Sequence, residues 1–262
     1  MRKLWIWGGA LFLTLMVPCG LLAETADSPS LKCFHRSIAS DFKHYYSFGN
    51  LGKMGWGLLA AGVLANTDAD ENIQDWVQDD VVNSDTDDFS RAVKEMGSWT
   101  TMTPLYLGLA ALRWLPRQGP LTAGLSTWGE RTFRGLLVGM PSVLFWQVAS
   151  GASRPSDGGD SAWHPFEDNN GTSGHTYTGA VPFLTAARMT ENLYIKSLCY
   201  LGSTFTAFSR INDNQHYTSQ AVLGWWLAYL AVECIEKTEL SSMQVMPMPL
   251  DDGVALMVIY KF

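Results

Sequence analysis

Apolar and small residues recur in six stretches of the chain, roughly 49–65, 98–115, 131–150, 174–188, 195–208 and 217–236. Their spacing of three and four residues predicts helices, not strands. Gly55, Gly57, Gly62 and Gly108 fall inside two of them and predict close helix approaches. Pro141 and Pro182 are expected to bend or start a helix. The acid-rich stretch 67–90 lacks the ligand spacing of an EF-hand and reads as a solvated acidic connector. Val254, Leu256, Val258 and Tyr260 alternate near the C-terminus and predict a single strand over 253–262. The pattern as a whole predicts an all-α fold, a bundle of about six core helices with a short strand-like C-terminal tail.

The N-terminus changes the picture of where the chain works. Arg2 and Lys3 precede an apolar run from Leu4 to Val17, small or apolar residues continue to Ala23, and polar Glu24-Thr25 follows. That is the layout of a secretory signal peptide over 1–23, with an uncleaved anchor as the rival reading. Each internal helical stretch falls short of the ~20 apolar residues that a membrane span needs, and the mean hydropathy is only +0.01. The expected location is the periplasm or the periplasmic face of the inner membrane. A net charge of −7 without a basic patch argues against a nucleic-acid partner. Cys33, Cys199 and Cys234 would remain after cleavage, and three thiols cannot all pair. Cys199 and Cys234 lie in apolar helical stretches and are read as buried packing residues.

Candidate chemistry is concentrated in three short segments: Ser153-Arg154-Pro155, Thr172-Ser173-Gly174-His175, and Ser209-Arg210 followed after five residues by His216. Arginine's fork of donors matches phosphate oxygens and keeps its charge at any working pH. Histidine can attack, or exchange a proton, near neutrality. Gln147 and Arg154 are seven apart, two turns along one face if both are helical. Pro155 biases Arg154 towards extended backbone. Ser173 and Gly174 would open a helix whose first N–H groups face an anion. His216 and Gln220, four apart, are within reach of each other at a helix start. His164, Glu167 and Asp168 have no diagnostic metal spacing, and Trp163 and Phe166 either contact a leaving group or close their loop onto the bundle.

The three segments resemble the type 2 phosphatidic acid phosphatase superfamily, which includes class A acid phosphatases and vanadium haloperoxidases. Its pattern is Lys, six residues, Arg-Pro; Pro-Ser-Gly-His; and Ser-Arg, five residues, His, three residues, Asp. Here Gln147 stands for the Lys, Thr172 for the Pro and Gln220 for the Asp. The resemblance implies that residues 24–262 form a helical domain of this kind. It implies a phosphatase in which His216 is the nucleophile, His175 the general acid and base, and Gln220 the group that orients His216. Arg154, Arg210, Ser173, Gly174 and Gln147 would bind the phosphate. The substrate would be a phosphorylated small molecule or a phospholipid, with membrane association. No cofactor and no metal are expected, vanadate being an inhibitor, or the prosthetic group of a haloperoxidase. A non-catalytic phosphate-binding relative is the third class. Lys94 and Asp213 are the charged residues that could stand in for those missing at 147 and 220.

Overall fold

The computed structural model describes residues 31–115, 119–250 and 253–260. The segment 1–23, read as a signal peptide, lies outside the described residues. The chain runs α1 Leu31–Tyr45, α2 Phe48–Ala65, α3 Asp68–Trp76, α4 Ser84–Val93, α5 Trp99–Ala111, α6 Pro120–Ser150, α7 Gly174–Arg188, α8 Leu193–Gly202, α9 Phe205–Asn212 and α10 Thr218–Ser242. Two strands, β1 Met243–Leu250 and β2 Gly253–Tyr260, follow as an antiparallel hairpin. The fold is all-α, as the apolar periodicity requires.

The longest helix, α6, starts on Pro120, whose fixed φ and missing N–H suit a first helical position. It ends at Gly151, which takes a left-handed φ of 63°. A side chain there would also collide with the His164 carbonyl. Ser173 caps α7 through Oγ, and Asn192 caps α8 by accepting from the Tyr194 and Ile195 amides. Helix α10 is apolar on almost every side because it forms the centre of the bundle. Leu223, Leu227, Leu230 and Ala231 are buried there among Tyr45, Leu136, Val143, Tyr177 and Leu184 of α1, α6 and α7. Gly57 of α2 and Gly224 of α10 permit close packing against Trp226 and the Ser173 backbone respectively, whereas Gly55 and Gly108 have no near neighbour. Pro141 and Pro182 lie inside α6 and α7, so neither starts a helix. Helix α6 alone among the described helices is long and apolar enough to cross a membrane by length and composition, and half of its apolar window is buried in the bundle.

Three expectations need correction. The stretch 195–208 is broken at Ser203-Thr204 into α8 and α9. The tail strand has a partner, Met243–Leu250, paired from Met243↔Tyr260 to Leu250↔Gly253. Pro247 and Pro249 hid that partner, yet prolines two apart remove N–H groups from one edge only. The third concerns 67–90, which is no connector. It folds into α3, a π turn over Val77–Val81 and α4, and it braces the loops of the candidate site. Asp70, fully buried, accepts from the Ser219 amide at 3.0 Å. Gln74 donates to the Ile211 carbonyl and to Asn214, and Asp87 accepts from Asn212 at 2.9 Å.

At the other end of the bundle the charges are saturated. Arg134 of α6 is 1 % exposed and donates through Nε and a terminal nitrogen to both carboxylate oxygens of Asp41, at 2.7 and 2.9 Å. Its remaining nitrogen reaches Glu239 at 2.5 Å. These pairs push the guanidinium pKa further up against the cost of burial. Cys199 and Cys234 are buried free thiols, as their apolar surroundings imply.

Candidate active site

The three motif segments meet where the C-terminal end of α6 approaches the N-terminal ends of α7 and α10. The residue that joins them is Gln220. Its amide nitrogen donates to the Ser153 carbonyl at 2.7 Å, and its own carbonyl accepts from the Ser173 amide at 2.9 Å. Its side-chain oxygen stands 2.7 Å from His216 Nδ1 and accepts from the Tyr217 amide at 3.3 Å. A carbonyl can only accept and an amide N–H can only donate, so Ser153 and Tyr217 together fix which end of the Gln220 amide faces the ring. The oxygen faces it. His216 therefore carries its proton on Nδ1, and the Nε2 lone pair is left free.

His216 is 4 % exposed. Burial drives its pKa down to about 3, helped by Arg210, Arg154 and His175 and opposed by the Gln220 bond. His175, in the first turn of α7, is open to solvent at the mouth. Its pKa falls to about 4 through desolvation and the positive charges of Arg210, Arg154 and Lys94. Both rings are neutral near pH 7, and each feels the same arginines.

Those arginines have only weak partners. Arg154 donates to Asn170 at 2.8 Å and to Gln215 at 3.0 Å, and Arg210 reaches the same Gln215 oxygen at 3.3 Å. Both acceptors, Asn170 and the shared Gln215, are neutral amides. Asp213 stands 3.9 Å from Arg210, but its carboxylate also accepts a 2.5 Å bond from Ser90. Arg210, 9 % exposed, keeps its Nε with no acceptor. Burial and the neighbouring Arg154 lower its pKa, against the opposing pull of Asp213. An orphan guanidinium donor in an under-neutralised pocket is suited to an anion.

The remaining motif residues shape this cradle. Arg154 is extended (φ −93°, ψ 147°), as a residue before proline should be, but α6 has already ended at Gly151. It does not share a helical face with Gln147. Gln147 stays in the last turn and donates to the Thr172 carbonyl at 3.0 Å, tying α6 to the second motif. A side chain at 174 would stand 3.3 Å from that amide. Ser173 spends its backbone N–H on Gln220 and accepts from Thr176, so the free first-turn amides are those of Gly174 and His175. Trp163 packs on Gly62 and donates its amide to Asn66, closing its loop onto α2, whereas Phe166 stays exposed. His164 pairs with Asp160 at the surface, and His44 with Thr238. Both are remote from the pocket chemistry.

Asn170, Gln215 and Asp70 are the positioning residues that sequence reasoning missed. Gln215 and Asn170 had a signal, since one precedes His216 and the other sits two residues before the second motif. Asp70 had none: it is 149 residues from the amide it holds.

Residues 113–235 match the model of the PAP2 superfamily. Comparison with curated proteins and with solved structures gives no significant match. The matched span contains all three motifs and every residue that meets at Gln220, and over residues 113–235 the chain is similar to the PAP2 superfamily.

Proposed function

We propose that the protein hydrolyses phosphate monoesters through a phosphohistidine intermediate. The observation that carries the reading is the buried Nδ1–H tautomer of His216 beside two arginines whose one shared acceptor is the neutral amide of Gln215. Arg154 and Arg210 bind the phosphoryl oxygens, with the Gly174 and His175 amides completing the cradle at the N-terminus of α7. His216 Nε2 attacks phosphorus. The P–O bond to the leaving group breaks, and that oxygen takes a proton from His175. Water then attacks the phosphohistidine, giving its proton to His175 and releasing inorganic phosphate. His175, neutral beside the arginines alone, gains its proton as the dianion arrives, because an opposite charge nearby raises its pKa. Gln220 holds the tautomer without adding charge, and Gln147 positions the second motif.

The same reading places the mature chain outside the cytoplasm, in the periplasm or against the periplasmic face of the inner membrane, and includes lipid phosphates among the substrates. Contiguous exposed apolar residues support contact with lipid. The outer face of α2 offers Phe48, Leu51, Trp56, Leu59 and Val63, and α8 offers Leu193, Tyr194, Leu198 and Leu201. An apolar groove of about 460 Å³ between α2 and α6, lined by Leu51, Met54, Phe145 and Trp146, runs to the turn that carries Gln147.

The test is hydrolysis of p-nitrophenyl phosphate and of a short-chain phosphatidate, each with and without vanadate. Turnover should be inhibited by vanadate, and His216→Ala should abolish both turnover and the acid-labile phosphoenzyme. Absence of phosphate release from either ester by the folded wild type would leave a phosphate-binding protein in place of an enzyme.

A further inference from the structure

Arg154 and Arg210 do not complete the positive side of the pocket. The 3-10 turn Lys94–Gly97, which follows α4, is pressed against the first turn of α7. A side chain at Gly97 would stand 2.6 Å from the His175 carbonyl and 2.9 Å from its Cβ, so this turn seats directly behind the histidine. Helix α4 runs antiparallel to α9, with Asp87 on Asn212 and Ser90 on Ser209 at 2.8 Å. Lys94 lies one turn beyond Ser90, on the face directed at the motif that carries Arg210. It is half-buried and makes no hydrogen bond or ion pair among the described residues. A half-buried ammonium left unpaired beside a cluster of cations has no structural reason to be there.

We infer that Lys94 is the third cation of the phosphate site, entering from the His175 side and supplying the charge that neutral Gln147 does not. It rests on the phosphate-site reading above. Its charge already acts on His175, whose pKa it helps to depress. Asp213 makes no matching substitution for a carboxylate at 220, because its oxygens serve Ser90 and Arg210. A cation beside His175 stands where the leaving oxygen gathers negative charge, so it favours the transition state as well as binding.

The test uses the full chain and inorganic phosphate as the probe, followed by calorimetric titration. Lys94→Gln should weaken phosphate about tenfold or more, the effect of losing one charge-assisted contact. Lys94→Arg should retain most of the affinity. Adding Gln147→Lys to Lys94→Gln should recover it, since a cation is then restored on the opposite wall. A second readout needs no binding at all: the His175 ring followed by NMR should titrate at higher pH in Lys94→Gln, with Arg154, Arg210 and His216 unchanged around it. A Lys94→Gln protein that binds phosphate like wild type overturns the inference while leaving the phosphate site intact. A wild type that binds no phosphate overturns the underlying reading instead.

Discussion

At the residue scale the decisive feature is the neutrality of His216. The nucleophile proposed for this site must keep a lone pair, and burial beside two arginines keeps His216 unprotonated far below the ordinary histidine range. That arrangement has a cost in acid. The unfolded chain binds a proton at this residue below about pH 6.5, the unperturbed histidine value, whereas the folded chain binds it only near pH 3. Its contribution is present above the unfolded value and is lost as pH falls towards the folded one, at up to about 1.4 kcal/mol per pH unit. Denaturant midpoints of the wild type should therefore fall between pH 6.5 and pH 4. His216→Gln should flatten that decline, and bound phosphate should oppose it. A midpoint equally pH-dependent in both proteins would mean that His216 is not buried neutral.

At the element scale the helices are secured by residues remote in sequence. Helix α10 starts at Thr218, and Asp70 of α3 caps it from across the bundle by accepting the Ser219 amide. A carboxylate there also faces the positive end of the helix dipole. Asp70→Ala should destabilise the fold by about 1–3 kcal/mol, the cost of orphaning buried donors. It should also lower turnover by loosening the turn that aims His216, while Asp70→Asn, still an acceptor, should lose less on both counts. Chemical denaturation and a kcat measurement on each variant decide it. This brace also marks where the sequence was legible. Helices α2, α7 and α10 are visible because their buried side chains are apolar and periodic, and the pocket residues are visible because their spacing is chemical. The role of α3 and α4 is invisible because most of what they bury is polar: Asp70, Gln74 and Ser90 look in sequence like solvated residues. The end of α6 at Gly151, three residues before Arg154, likewise follows from a left-handed turn pressed on the His164 carbonyl.

At the scale of the whole molecule the two ends of the bundle treat charge in opposite ways. The Arg134 cluster is saturated by Asp41 and Glu239. Arg134→Met should cost about 3–5 kcal/mol by stranding those carboxylates. It should leave kcat per folded molecule unchanged, because Arg134 is 13 positions before Gln147, about 20 Å along the helix axis. Thermal unfolding and an active-site titration together would show the separation. The pocket end is under-neutralised, and around it α3, the π turn and α4 set Asp75, Asp79, Asp80, Asp85 and Asp88 on a chain of net charge −7. A phosphorylated molecule in solution thus meets repulsion at long range and attraction only at contact. The crossover lies near the screening distance of about 8 Å in physiological salt. Such a field disfavours capture by free diffusion and favours esters already held close to the mouth, so delivery of substrate, and not only its recognition, is written into the surface.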